Sequence, residues 1–95
     1  MKKPQAIDLK DKTILVTGAT NGIGKQTVEY LAQTGATLVI VGRNPQKTEN
    51  LVKVLESMPG AGEIHGLIAD LSHQNEVRKL ADEFKSKFKR LDILI

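Results

Sequence analysis

The chain has 95 residues, 40% of them hydrophobic and 26% charged, with a formal net charge of +3. That length allows one globular domain at most, and the lack of cysteine excludes disulfides, thiolate catalysis and Cys-ligated zinc or iron–sulfur sites. Aromatic residues are only 3% of the chain, too few for base stacking, so the basic cluster Lys85, Lys87, Lys89 and Arg90 reads as a solvated helix end rather than a nucleic-acid surface.

No apolar core follows Lys2 and Lys3, so the N-terminus does not read as a signal peptide. The longest apolar run, Leu38 to Val41, is too short to cross a bilayer. A cytoplasmic location is the expectation.

In chain order, strand and helix alternate. Thr13-Ile14-Leu15-Val16 predicts a first strand, and the turn Thr17 to Gly24 leads into a helix from Ile23 to about Thr34. That helix would bury Ile23, Val28, Leu31 and Ala32 and stop at Gly35, a residue suited to the left-handed position after a helix. Thr37 to Val41 is apolar and β-branched, as a parallel strand covered on both faces requires. Asn44 caps the next helix, and Pro45 takes its first position. Leu51, Val52, Leu55 and Met58 form its apolar face, and Pro59-Gly60-Ala61-Gly62 ends it. A third strand runs from Ile64 to Ala69 and leads into Asp70. Ser72 is placed as the cap of a third helix with Val77, Leu80, Ala81, Phe84 and Phe88 on its apolar side. Leu91 to Ile95 reads as a fourth strand. The pattern implies one α/β domain over residues 1–95: a parallel sheet with helices on both faces, right-handed crossovers and the doubly wound order 3-2-1-4. The topological switch then falls between the first and fourth strands, above the glycine turn.

A glycine-rich turn between a strand and a helix N-terminus can hold a phosphate. The first N–H groups of the helix lack intrahelical partners, the dipole favours negative charge, and glycine permits positive φ or close approach of a pyrophosphate. The spacing decides which phosphate. Gly18 and Gly24-Lys25 are one residue too far apart for a P-loop, and Gln26 replaces its magnesium-binding hydroxyl. The G-x-G-x-x-G fingerprint fails because Thr20 occupies its second glycine position.

The spacing Thr-Gly-x-x-x-Gly-x-Gly, met by Thr17, Gly18, Gly22 and Gly24, resembles that of the short-chain dehydrogenase/reductase family. Val41-Gly42-Arg43-Asn44, Asp70-Leu71 and Leu91-Asp92-Ile93-Leu94-Ile95 extend the likeness in register over nearly the whole chain. The resemblance implies the N-terminal, cofactor-binding part of a Rossmann-type domain. In it, Gly18, Gly22, Ile23 and Gly24 would line the pyrophosphate and ribose through backbone groups, while Thr17 and Asn21 brace the turn. Asp70 would accept from the adenine amino group, with Leu71 against the ring. Gly42 stands where NAD-binding members carry Asp or Glu, and Arg43, with Asn44 beside it, can reach a 2′-phosphate. NADP(H) is therefore the implied cofactor and NAD the second choice. Asn21 stands where some NADP-preferring members carry a second basic residue, which moderates the preference. The run Gly35 to Asn44 is most similar to retinol-dehydrogenase-like reductases of lipophilic carbonyls.

In the family, a Tyr with a Lys four residues later, helped by an upstream Ser, assists hydride transfer. The single tyrosine here, Tyr30, has Thr34 at that distance, and His65 and His73 lack triad or metal-ligand partners at useful spacing. No catalytic or metal-binding role is assigned. Two readings stand: the cofactor-binding half of a reductase whose catalytic residues lie beyond Ile95, or a stand-alone nucleotide-binding or interaction module without hydride chemistry. In either, the fourth strand would be an apolar edge that favours self-association.

Overall fold

Side-chain alternation along the strands sorts the core into two layers. The computed structural model of the chain describes residues 8–18 and 22–95, without the side chain of Ile23. Its elements are β1 (Thr13–Thr17), α1 (Gly22–Ala32), β2 (Thr37–Gly42), α2 (Pro45–Glu56), β3 (Ile64–Ile68), α3 (Gln74–Lys87) and β4 (Ile93–Leu94). The sheet order is β3-β2-β1-β4 with every pairing parallel, the doubly wound order expected from the sequence. β2 lies inside this sheet, and its residues from Leu38 to Gly42 are all buried.

Ile14, Val16, Leu38, Ile40 and Ile64 point to one face, where Val28 and Ala32 of α1 and Leu51 and Leu55 of α2 cover them. Leu15, Val39, Val41, Leu67 and Ala69 point to the other, covered by Leu80 of α3 with Phe84 and Phe88. Full burial of a Val, Leu or Ile side chain such as Ile14, Leu38 or Val39 contributes on the order of 1.5–3 kcal/mol. On α3 the stripe meeting the sheet is narrower than its sequence predicts. Leu80, Phe84 and Phe88 follow one i, i+4 line, whereas Val77 and Ala81 remain exposed.

Several boundaries move, each for a local reason. α1 stops at Ala32, because the Gln33 and Thr34 N–H groups donate three residues back, to Tyr30 O and Leu31 O. Gly35, with φ of 83°, then turns the chain. α2 ends at Glu56, and Ser57 closes it with its N–H on Val54 O and its hydroxyl on the same carbonyl. Ser72 is not the cap of α3. His73 occupies the cap position without a side-chain bond, while the Ser72 hydroxyl donates to Asp70 Oδ1 at 2.6 Å. An ionised carboxylate is the stronger acceptor, and it also takes the Ser72 N–H in an Asx turn. β4 is two residues long rather than five, although single bonds continue its ladder on both sides, Asp92 N to Thr13 O and Thr17 N to Ile95 O.

Among the described residues, no helix is long and apolar enough to cross a membrane.

Candidate functional site

The carboxyl ends of β1, β2 and β3 gather the residues singled out in the sequence. In open α/β sheets, ligands bind at this edge, next to the strand where the order reverses. Here the reversal falls between β1 and β4, and the glycine turn begins where β1 ends.

Gly18 and Gly22 have φ of 66° and 54°, in the left-handed region that other residues enter only at a cost. A Cβ built on either would meet nothing within 4 Å. Among the described residues, packing therefore does not demand these glycines. Their backbone conformation does, and the open space above them is a cradle that side chains would fill. Gly22 also begins α1, and the first N–H groups of a helix lack intrahelical partners. The cradle fits a pyrophosphate on both counts. Ala19, Thr20, Asn21 and the Ile23 side chain lie outside the described residues. Gly24 lies in the first turn of α1.

Thr17 braces differently from the expected turn contact. Its hydroxyl donates to Ile95 O at 3.2 Å and its N–H to the same carbonyl at 3.0 Å. The side chain thus ties β1 to the β4 segment. Both donors end on one carbonyl because the parallel ladder brings Ile95 alongside β1 at its carboxyl end.

At the end of β2, Arg43 is exposed and, among the described residues, carries no hydrogen bond or ion pair. Asn44 caps α2: its Oδ1 accepts from Lys47 N at 3.0 Å, and its carbonyl accepts from Thr48 N and Thr48 Oγ1. At the end of β3, the Ser72 hydroxyl and then the Ser72 N–H hold the Asp70 carboxyl below its usual value. Partial burial opposes this, and the charges of His73 and Arg43 reinforce it. Arg43 and Asp70, from neighbouring strands, thus share one electrostatic environment. Leu71 is 42% exposed beside them, an apolar surface at the same edge.

The sequence reading missed the company of His73. Asp70, His73 and Glu76 bring ligand-type atoms within 4.8 Å of one another. These groups hold the loop: Glu76 Oε1 accepts from Asp70 N at 2.9 Å, and His73 Nε2 lies 3.5 Å from Asp70 Oδ2. The i, i+3, i+6 spacing across a loop and the first turn of a helix was the signal available. His65 is half-exposed and packs edge-on against Phe88 at 4.9 Å between centroids. Tyr30 is 56% exposed on α1, and in the basic cluster Lys87 pairs with Glu83 and Arg90 with Asp92.

A cleft of about 730 Å³ lies at the opposite edge of the sheet between Lys10, Gln33, Gly35 and Gly62. It is wide open, and its polar side chains are turned to local partners, Asp8 to Lys10 and the Thr34 hydroxyl to Leu31 O. Topology and chemistry both favour the carboxyl edge.

Comparison with known proteins identifies the family. The family model described as short chain dehydrogenase matches residues 12–95. A 3beta-hydroxysteroid dehydrogenase of Mediterraneibacter gnavus is 38% identical over 85 residues, covering 90% of this chain and 30% of the relative. Human retinol dehydrogenase 11 is 35% identical over 89 residues, 94% of this chain and 28% of the relative. Among solved structures, the Pseudomonas aeruginosa RhlG/NADP active-site complex superposes with a TM-score of 0.84 at 30% identity, over 94% of this chain and 34% of that one. The chain spans about a third of the length of the curated relatives it matches.

Proposed function

The chain belongs to the short-chain dehydrogenase family, and from that membership we propose that it is the NADP(H)-holding portion of an oxidoreductase acting on a carbonyl/alcohol pair. NAD(P) binding is the family's common property; the preference for the phosphorylated form is the proposal. One observation carries it: β2 ends in Gly42, which offers no carboxylate, followed by Arg43, which is exposed and has no partner among the described residues. A carboxylate there would bind both ribose hydroxyls and repel a 2′-phosphate, whereas a guanidinium attracts the phosphate and can grip it through two parallel bonds.

The remaining residues take roles consistent with their positions. Backbone N–H groups of Gly18, Gly22, Ile23 and Gly24 bind the pyrophosphate at the start of α1. Thr17, fixed to the Ile95 carbonyl, keeps the end of β1 in register under the turn, and Asn21 braces the turn. Asn44 supports Arg43 by holding the first turn of α2. Asp70 has acceptor capacity beyond its two bonds from Ser72, which an adenine amino group can use. Leu71 offers the ring an apolar surface. The bound dinucleotide supplies or takes the hydride. Relatives named for steroid and retinol substrates point to a lipophilic carbonyl/alcohol as the substrate class. Cytoplasmic residence belongs to the same proposal and rests on the cysteine-free composition.

Self-association through β4 is a further part of it. Leu91, Ile93, Leu94 and Ile95 are 40–66% exposed along a strand at the end of the sheet.

Calorimetric titration of the chain with NADPH and NADH tests the cofactor assignment. Tighter binding of NADPH is expected, and equal affinities would overturn it.

A further inference from the structure

Gly42 is a glycine for a different reason from Gly18 and Gly22. Its backbone is ordinary extended strand, not the left-handed region, so conformation alone would allow any residue. What forbids one is Thr48. A Cβ at position 42 would overlap Thr48 Oγ1 and come within 3.2 Å of Thr48 Cβ.

Thr48 cannot easily yield. It is 1% exposed, and its hydroxyl donates to Asn44 O at 2.8 Å. Its methyl group would lie 3.2 Å from a Cβ at Gly66, on the neighbouring strand. The β-branched side chain, held in this rotamer by its bond to Asn44 O, therefore fills the space over two glycine positions of adjacent strands. Rotating it away would break the hydroxyl's bond to Asn44 O.

We propose that Thr48 is a specificity-determining residue of the dinucleotide site: by occupying the side-chain space of position 42, it keeps a ribose-binding carboxylate out of the end of β2 and leaves cofactor choice to Arg43. This rests on the NADP(H) reading above. Thr48 touches no cofactor in this account and acts as a positioning residue. Two consequences follow. An acidic residue at position 42 cannot by itself convert the site to NAD, and removing the Thr48 side chain opens the conversion.

A double-mutant cycle on the chain tests the two parts separately. In its cofactor-free arm, Gly42→Ala is expected to lower the melting temperature by roughly 5–15 °C with Thr48 present, and by much less in the Thr48→Ala background. Equal losses in the two backgrounds overturn the steric lock. In its binding arm, Gly42→Asp alone is expected to lose NADPH affinity without gaining NADH affinity, while Gly42→Asp with Thr48→Ala gains NADH affinity at least tenfold over the unaltered chain. If Gly42→Asp fails to fold and the double variant folds, that rescue supports the lock. An NADH gain by Gly42→Asp alone, or none in the folded double variant, overturns the specificity role. Should the unaltered chain bind NADH as tightly as NADPH, the NADP(H) reading fails, while the melting-temperature arm still reports on the lock independently.

Discussion

Thr13 and Asp92 hold each other twice: the Thr13 N–H donates to Asp92 Oδ2 at 2.8 Å, and the Asp92 N–H donates to the Thr13 carbonyl at 2.9 Å. This closed ring sits where β1 and the β4 segment begin. At the far end of the same pair, Thr17 donates twice to Ile95 O. A strand of two residues is thus fastened to β1 at both ends, through Asp92 just before it and Ile95 just after it.

The Arg90 guanidinium first, and the Thr13 N–H second, hold the Asp92 carboxyl below its ordinary value of 3.8. Asp70 is lowered as well, chiefly by Ser72. A carboxyl with a depressed folded-state pKa adds stability above its unfolded value and loses that contribution as pH falls through the lower, folded one. The melting temperature should therefore drop below about pH 4. Asp92→Asn should make that drop shallower, measured by thermal melts from pH 7 to pH 2. An Asp92→Asn profile as steep as the unaltered one would remove Asp92 from the acid response.

Arg43→Ala should weaken NADPH binding by roughly tenfold to a hundredfold, the range for a lost charge-assisted phosphate contact, and leave NADH binding unchanged. Parallel titrations with the two cofactors read this directly. A matching loss for both would place Arg43 outside the phosphate site.

Gly18→Ala costs backbone strain but no clash, since φ is 66° and nothing lies within 4 Å of the new Cβ. Stability should fall by about 1–2 kcal/mol. Dinucleotide affinity, measured where the variant is still fully folded, should fall further than that loss explains. Unchanged affinity in a folded Gly18→Ala chain would contradict the cradle.

Leu55 and Val54 are sequence neighbours with opposite surroundings, 0% and 47% exposed. Leu55→Ala should cost about 2–5 kcal/mol, because it leaves a cavity between α2 and the sheet. Val54→Ala should stay within about 0.5 kcal/mol. Urea unfolding of both variants checks the contrast.

Leu94 is 66% exposed on the edge strand. Leu94→Lys should shift the chain toward monomer in sedimentation velocity across a dilution series. An unaltered chain that is already monomeric at high concentration would refute association through β4.

Most of the architecture was legible because two periodicities carried it. Apolar β-branched runs such as Leu38 to Val41 marked buried strands, and the analogy with doubly wound folds then supplied the sheet order. The glycine spacing from Thr17 to Gly24 identified the cradle through chemistry that depends on backbone rather than on tertiary contacts. What escaped was decided by neighbours distant in sequence. Thr48 interrupts no apolar stripe, so counting Leu51, Val52 and Leu55 passes over it, although it is 1% exposed. The trace it left was a glycine in each of two successive strands, Gly42 and Gly66, at points that one α2 side chain covers. Ser72 looked like a cap because hydroxyls usually are caps, but Asp70 two residues earlier competed for its donors and won.

The two faces of the sheet are held by unequal means. α1 and α2 together anchor one face with four buried apolar side chains, whereas α3 buries only Leu80 against the other. Amide hydrogen exchange should therefore find α3 exchanging through a partial opening, well before β1 and β2 lose protection. That opening would also withdraw Glu76 from the Asp70 N–H, since the carboxylate making this bond rides on the first turn of α3. The proposed adenine end of the site and the lifetime of α3 are then one coupled equilibrium: a ligand that settles on Asp70 slows the peeling of a helix it touches only at one end.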